Sequence, residues 1–207
     1  MNILILTLGA VCSYLVGALN PAIVLSNLIY HEDIREKGSG NPGFTNFMRS
    51  YGVKWAMVVL VLDLAKAAVC VSLVSWIYAT VCDGSYQFAA AFCGLFAMAG
   101  HAFPVWYGFK GGKGFLVYMS IIFLVDWRAG LIGTAVLAVL LFTTRYMSLS
   151  SMCAVFSTVL FLIIARAADP VVIILCALQV IFVFIRHKEN IARLFKGTES
   201  KFKIKKS

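Results

Sequence analysis

GGKGFLVYMSIIFLVDWR, residues 111–128, is the stretch whose reading decides the fold. From Gly114 to Val125 it carries no charge, and it is held between Lys113 and Asp126. At about 1.5 Å per residue a helix over Gly114–Val125 covers only about 18 Å of a hydrocarbon core near 30 Å. Such a helix begins below the membrane surface or is re-entrant. Irregular backbone at that depth is tolerated only where protein surrounds it or where it lines a wet cavity. The glycines just before it are therefore expected in the wall of a pocket inside a helical membrane bundle.

The rest of the chain agrees. Of 207 residues, 61% are hydrophobic and 13% charged, with a mean hydropathy of +0.91, well above the apolar share of a soluble domain. Apolar stretches run over about 3–29, 54–81, 86–107, 114–125, 129–144, 149–165 and 170–185. The expectation is an all-α polytopic bundle of about seven transmembrane helices, one integral-membrane domain over 1–207. MNILILTLGA lacks the basic n-region of a signal peptide, so it is expected to stay as the first span. The cysteines (Cys12, Cys70, Cys82, Cys93, Cys153, Cys176) form no CxxC pair and read as small buried hydrophobes.

Seven spans put the termini on opposite sides. With the N-terminus outside and the C-terminus cytoplasmic, fifteen of the eighteen Lys and Arg residues fall inside. Only Arg128 and Arg166 fall outside, and Lys66 lies within a span. The net charge of +9 then needs no nucleic acid, because a tail such as KFKIKK is attracted to anionic headgroups.

Four inside segments depart from membrane filler. DIREKGSGNPGFTNFMRSYG, residues 33–52, offers small residues including Gly40 that let backbone N–H groups approach a ligand. Ser39, Asn41, Thr45 and Asn46 offer hydrogen bonds, and Arg35 and Arg49 offer charge suited to phosphate. An ordinary turn with a capped helix start near Asn41 and Pro42 is the other reading. GHAFPVWYGFKGGKG, residues 100–114, sets Gly111, Gly112 and Gly114 around Lys113, with Lys110 just before. Glycines beside lysine suit a phosphate cradle, but the P-loop pattern is absent, and His101 at a helix end reads alone as structural. In TRYMSLSS, residues 144–151, Ser148 reads as a helix N-cap. In IRHKENIARLFKGTE, residues 185–199, a spacing of three brings His187, Asn190 and Arg193 toward one ligand, with a solvated basic exit helix as the alternative. Within the second span, Asp63 and Lys66 are close enough to pair, and Asn20–Pro21 reads as a kink in the first.

In order and together, GSGNPGFTN with Arg49, GHAFP with GFKGGKG, RYMSLSS and RHKENIARLFKGTE closely resemble the PlsY family of bacterial membrane acyl-phosphate:glycerol-3-phosphate acyltransferases, and DLAK in the second span resembles the family's too. The resemblance runs nearly end to end. It implies a seven-helix enzyme of the bacterial inner membrane with its site facing the cytoplasm. That site would move an acyl group from acyl phosphate to glycerol 3-phosphate, yielding lysophosphatidic acid and phosphate, the first step of phospholipid synthesis. It further implies an essential Ser39 and Arg49, a glycerol 3-phosphate site in the second motif, and roles for His187 and Asn190. Phe115 and Phe44 stand where the family usually has small or aliphatic residues, which changes pocket volume.

An acyl phosphate is already activated, so the expected task is to hold two anions together. Arg49, Lys113, loop N–H groups, Ser39 and Asn190 are expected to do so. The proton of the attacking hydroxyl is expected to pass to the substrate's own phosphate, with His187 and His101 as the alternative bases, since no His–carboxylate pair is evident from spacing. Neither cofactor nor metal is expected, because Glu32, Asp33, Glu36, Glu189 and Glu199 do not cluster as magnesium ligands would. Membrane lipids are the surroundings, and no nucleic acid or obligate protein partner is expected. A transporter of a phosphorylated solute is the alternative function, but it would want inverted repeats and a midplane site. A metal-dependent phosphotransferase would want several inside aspartates. A purely structural protein would leave the four motifs without purpose.

Overall fold

A computed structural model describes residues 1–202, so Lys203, Lys205 and Lys206 of the basic tail lie outside the described residues. Among those residues the chain is all-helical, without strands. The first apolar stretch is two helices, α1 (Asn2–Gly17) and α2 (Pro21–Tyr30). Proline at the first helical turn sets the break, and Asn20 caps α2 by accepting the Ile23 N–H at 3.1 Å. The same side chain donates to the Pro42 carbonyl at 3.1 Å, so the kink also anchors the first polar loop.

After the amphipathic α3 (Phe44–Tyr51) come α4 (Val53–Cys82), α5 (Tyr86–Ala102), the short α6 (Phe115–Val125), α7 (Trp127–Thr144), α8 (Met147–Ile164), α9 (Pro170–Arg186) and α10 (Lys188–Phe195). Every apolar stretch read from the sequence is thus helical. Among the described residues five units, Asn2–Tyr30 among them, are long and apolar enough to cross a membrane, and α9 with α10, bent by 59°, makes a sixth if the pair is one broken span. The apolar α6, with 11 residues, is too short to cross, so the described residues give five spans, or six with the bent pair, where seven were expected.

Burial explains where the short helix sits. Val117, Tyr118, Ile121 and Ile122 have no exposed surface, and α6 packs against α4, α5, α7, α8 and α9. Protein therefore surrounds the loop that leads into it. The outer faces are apolar instead, as lipid contact requires: Ile3 is 82% and Phe142 88% exposed. Between helices the contacts rest on small residues. A Cβ on Gly17 would stand 2.2 Å from the Ala97 carbonyl oxygen, and one on Gly100 would stand 2.0 Å from that of Tyr14. α1 and α5 thus meet backbone to backbone, the packing that small residues permit when lipid supplies no hydrophobic drive.

Two expected caps are absent. The N-cap of α3 is Gly43, without a side-chain bond. The N-cap of α8 is Tyr146, and Ser148 turns its hydroxyl to Glu199 at 2.6 Å.

Candidate active site

The polar loop before α3 is built around one side chain. Asn46 accepts the Ser39 N–H at 3.0 Å and donates to the carbonyls of Lys37 at 2.9 Å and Ile34 at 3.3 Å. Both ends of its amide bond the loop, so Asn46, which also lines the cavity, shapes the site. Asp33 and Arg35 form an ion pair at 2.7 Å, and Arg35 donates to the Tyr107 carbonyl at 2.7 Å. This ties the first motif to the second.

The glycine loop is pinned from both sides. Gly111 N–H donates to the Ala102 carbonyl at 3.1 Å and Gly112 N–H to that of His101 at 3.0 Å, doubling the loop back on the end of α5. Arg186, over the ring of Phe103, donates to the Gly111 and Gly112 carbonyls at 3.2 and 3.1 Å. A Cβ on Gly112 would stand 2.1 Å from His101 Nε2, so glycine there leaves the ring its room. Gly114, at φ +84°, takes a left-handed turn into α6 that a side chain would strain.

These segments enclose a cavity of about 780 Å³. Ser39, Asn41, Thr45, Asn46 and Arg49 line one side; His101, Lys113 and Gly114 another; Ser148, His187, Asn190 and Arg193 close it, with Phe44 and Phe115 also in the wall. The remaining candidates stand apart from the wall. Gly40, at φ +71°, turns the loop behind Ser39. Gly111 and Gly112 are buried against α5, and Lys110 is exposed. Of the two lysines, Lys113 is the one at the cavity.

There Lys113 Nζ donates to Asn190 Oδ1, and Asn190 donates from its amide nitrogen to Glu199 at 2.7 Å. Arg193 Nε reaches the other Glu199 oxygen at 2.7 Å. Burial pushes the Lys113 ammonium down to about 8, and the neighbouring Arg193 guanidinium adds to the fall. Burial opposes the charge on Glu199, but bonds from Ser148, Asn190 and Arg193 hold its carboxyl below the ordinary value. Arg49 donates to the Ser200 carbonyl at 3.3 Å, and Phe202 N–H to that of Arg145 at 2.6 Å. The chain from Glu199 to Phe202 is thus a strap at the cavity wall.

Sequence reasoning missed Glu199 as a site residue; its signal was a carboxylate closing an otherwise basic motif. It also gave no His–carboxylate pair, whereas the fold brings Asp63 Oδ1 within 3.5 Å of His101 Nδ1. That approach joins α4 to α5, which spacing along the chain cannot reveal. Asp63 and Lys66 pair at 2.8 Å, as expected from their positions.

From the cavity a second, apolar groove of about 590 Å³ runs between α4, α6 and α7. Leu60, Phe115, Leu116 and Leu137 line both spaces, and Ala65, Ala68, Met119, Phe123 and Thr134 continue the groove. A polar chamber rich in cationic and hydrogen-bonding groups opening into an apolar trough suits a molecule with an anionic head and a hydrocarbon tail.

The family model described as glycerol-3-phosphate acyltransferase matches residues 7–197. The chain is 38% identical over 195 residues to the glycerol-3-phosphate acyltransferase of Brucella anthropi, covering 94% of this chain and 92% of that protein. It is 35% identical over 201 residues to glycerol-3-phosphate acyltransferase 2 of Bacillus anthracis, covering 97% and 99%. Among solved structures it is similar to PlsY, an integral membrane glycerol 3-phosphate acyltransferase. The glycerol 3-phosphate form gives a TM-score of 0.87 at 31% identity, with 96% of each chain covered. The lysophosphatidic acid form gives 0.84 at 30% identity, covering 96% of this chain and 95% of that one.

Proposed function

The chain belongs to the glycerol-3-phosphate acyltransferase family, and from that premise we propose that the cavity of about 780 Å³ is its acyl-transfer site, with acyl phosphate as the donor. The protein is an integral membrane acyltransferase that acylates glycerol 3-phosphate to lysophosphatidic acid. The observation that carries the site is convergence: Ser39, Arg49, Lys113, His187, Asn190 and Arg193, from three separate segments, line one space that continues into an apolar groove. The basic residues gathered at this end of the bundle support a cytoplasmic C-terminus and a cytoplasm-facing site in a bacterial inner membrane. The fold supports reading 1–207 as a single domain.

In this reading Arg49, Lys113 and Arg193 neutralise the two phosphates, while Ser39 and Asn190 orient them. The acyl chain lies in the groove between α4, α6 and α7. Fixing both anions makes the transfer effectively intramolecular. The glycerol hydroxyl oxygen attacks the carbonyl carbon, and the bond from that carbon to the phosphate oxygen breaks. The hydroxyl proton passes to a non-bridging oxygen of the departing phosphate, which leaves as hydrogen phosphate. No protein group need change its protonation, and the anhydride supplies the driving force.

The test is product formation by the purified protein from palmitoyl phosphate and labelled glycerol 3-phosphate, with palmitoyl-CoA as the parallel donor and Ser39→Ala as the control. Lysophosphatidic acid from acyl phosphate alone, lost in the variant, supports donor and site together. Product from palmitoyl-CoA alone refutes the donor, and full activity in Ser39→Ala refutes the role given to Ser39.

A further inference from the structure

The mechanism above gives no task to the charged cluster within the bundle, where Lys66 on α4 meets three partners. Its Nζ donates to the Leu19 carbonyl at 2.6 Å, pairs with Asp63 Oδ1 at 2.8 Å, and lies 3.1 Å from His101 Nδ1. Lys66 and Asp63 have side-chain exposures of 8% and 1%. An ammonium has three donors and no acceptor. Its contact with Nδ1 is therefore bonding only when that nitrogen carries a lone pair, and a proton there would point at the ammonium. Asp63 Oδ1 is the rival acceptor for a proton on Nδ1, but it stands 3.5 Å away, farther than Lys66 Nζ, and is not aligned for a hydrogen bond. The proton of His101 is thereby placed on Nε2, the nitrogen beside Gly112, and His101 lines the cavity. Among the described residues no hydrogen bond occupies Nε2.

The second cavity histidine is set the other way. His187 Nδ1 lies 2.8 Å from the Val183 carbonyl, which only accepts, so Nδ1 carries the proton and Nε2 keeps the lone pair. The two rings that line the cavity thus present opposite faces, one a donor and one an acceptor.

We propose that Lys66, held by Asp63 and the Leu19 carbonyl, is a positioning residue that locks His101 as an Nε2–H donor to the oxygen that gains charge during acyl transfer. This rests on reading the cavity as the transfer site. It gives His101 an electrostatic task and removes it from the candidate bases. It also accounts for Gly112: a side chain there would occupy the place of the donor nitrogen. No proton leaves His101 in the reaction, so the lock need not open during turnover.

The test is nitrogen-15 NMR of the full chain in detergent, labelled at histidine, with His31→Gln, His101→Gln and His187→Gln assigning the signals. His101 is expected protonated at Nε2 and bare at Nδ1, with His187 the reverse. Lys66→Met is expected to mix the His101 tautomers. If that variant does not fold because Asp63 loses its partner, the wild-type spectrum still decides. A protonated His101 Nδ1 in the wild type overturns the proposal.

Kinetics give the second arm. His101→Gln, whose amide N–H can replace the donor, is expected to keep kcat within about tenfold, whereas His101→Leu loses on the order of 100-fold, as removal of one oxyanion donor does. Equal large losses in both, at wild-type thermal stability, overturn the donor role. Arg49→Ala runs in parallel. Full activity there defeats the reading of the cavity itself, whereas loss there with normal rates in both His101 variants defeats only this proposal.

Discussion

Lys113 Nζ and Asn190 Oδ1 meet across the cavity although the residues stand 77 positions apart, and this bond joins the glycine loop to α10. Lys113 is the cation of that loop at the cavity, and burial has lowered its proton affinity to about 8. Below that pH it is charged and can hold a phosphate; above it the ammonium loses its proton and its attraction. The kcat/KM for glycerol 3-phosphate, which reports the free enzyme, is expected to fall as pH rises through about 8. In Lys113→Arg, whose charge does not titrate there, that alkaline limb should move away. A limb unchanged in the variant would mean another group is responsible.

Glu199 gathers Ser148, Asn190 and Arg193 around one carboxylate. Removing it leaves an amide and a guanidinium without their partner at the cavity wall. Glu199→Ala is therefore expected to destabilise the fold by about 3 kcal/mol, the scale of losing bonds to a charged group. Thermal unfolding in detergent measures this, and a melting temperature equal to wild type would show the strap to be dispensable.

His187 keeps its Nε2 lone pair toward the site, so it could be taken for the base. If the departing phosphate takes the proton instead, His187→Gln preserves an acceptor and should keep kcat within about tenfold. Loss of a true general base costs roughly 100-fold to 10,000-fold. A loss of that size, with acceptor binding intact, would return the role to His187.

Ala65 and Ala68 give the groove its width along α4. Ala68→Phe fills its far part while leaving the polar cavity alone. Palmitoyl phosphate is expected to lose about tenfold in kcat/KM relative to decanoyl phosphate, within the discrimination that apolar pockets reach. Competition between the two donors in one vessel measures the ratio. An unchanged ratio would move the acyl chain elsewhere.

The fold was legible in composition and run lengths, because a bilayer admits few solutions for an apolar chain. The short stretch at 114–125 announced a helix inside protein, and seven of the eleven residues of α6 are buried. The candidate site was legible as segments, to the extent that Ser39, Arg49, Lys113, His187 and Asn190 all line one cavity. Finer assignments were not. That Asn46 also braces the loop could not be read from its type, and Ser148 looked like a cap but bonds Glu199. A hydrogen-bonding side chain advertises its chemistry but not its partner.

The sequence by itself therefore determined a helical membrane bundle, the polar segments that the fold gathers at one cavity, and the family they resemble. All three follow from local quantities: apolar length, charge asymmetry and motif order. Only the tertiary structure decided that Lys113 and not Lys110 reaches the cavity, that Glu199 gathers the last motif, and that Lys66 meets His101. Lys66 meets His101 35 positions away, Lys113 meets Asn190 77 positions away, and Glu199 meets Ser148 51 positions away, so each depends on how separate segments pack. Spacing within one helix cannot encode which neighbour will stand beside it.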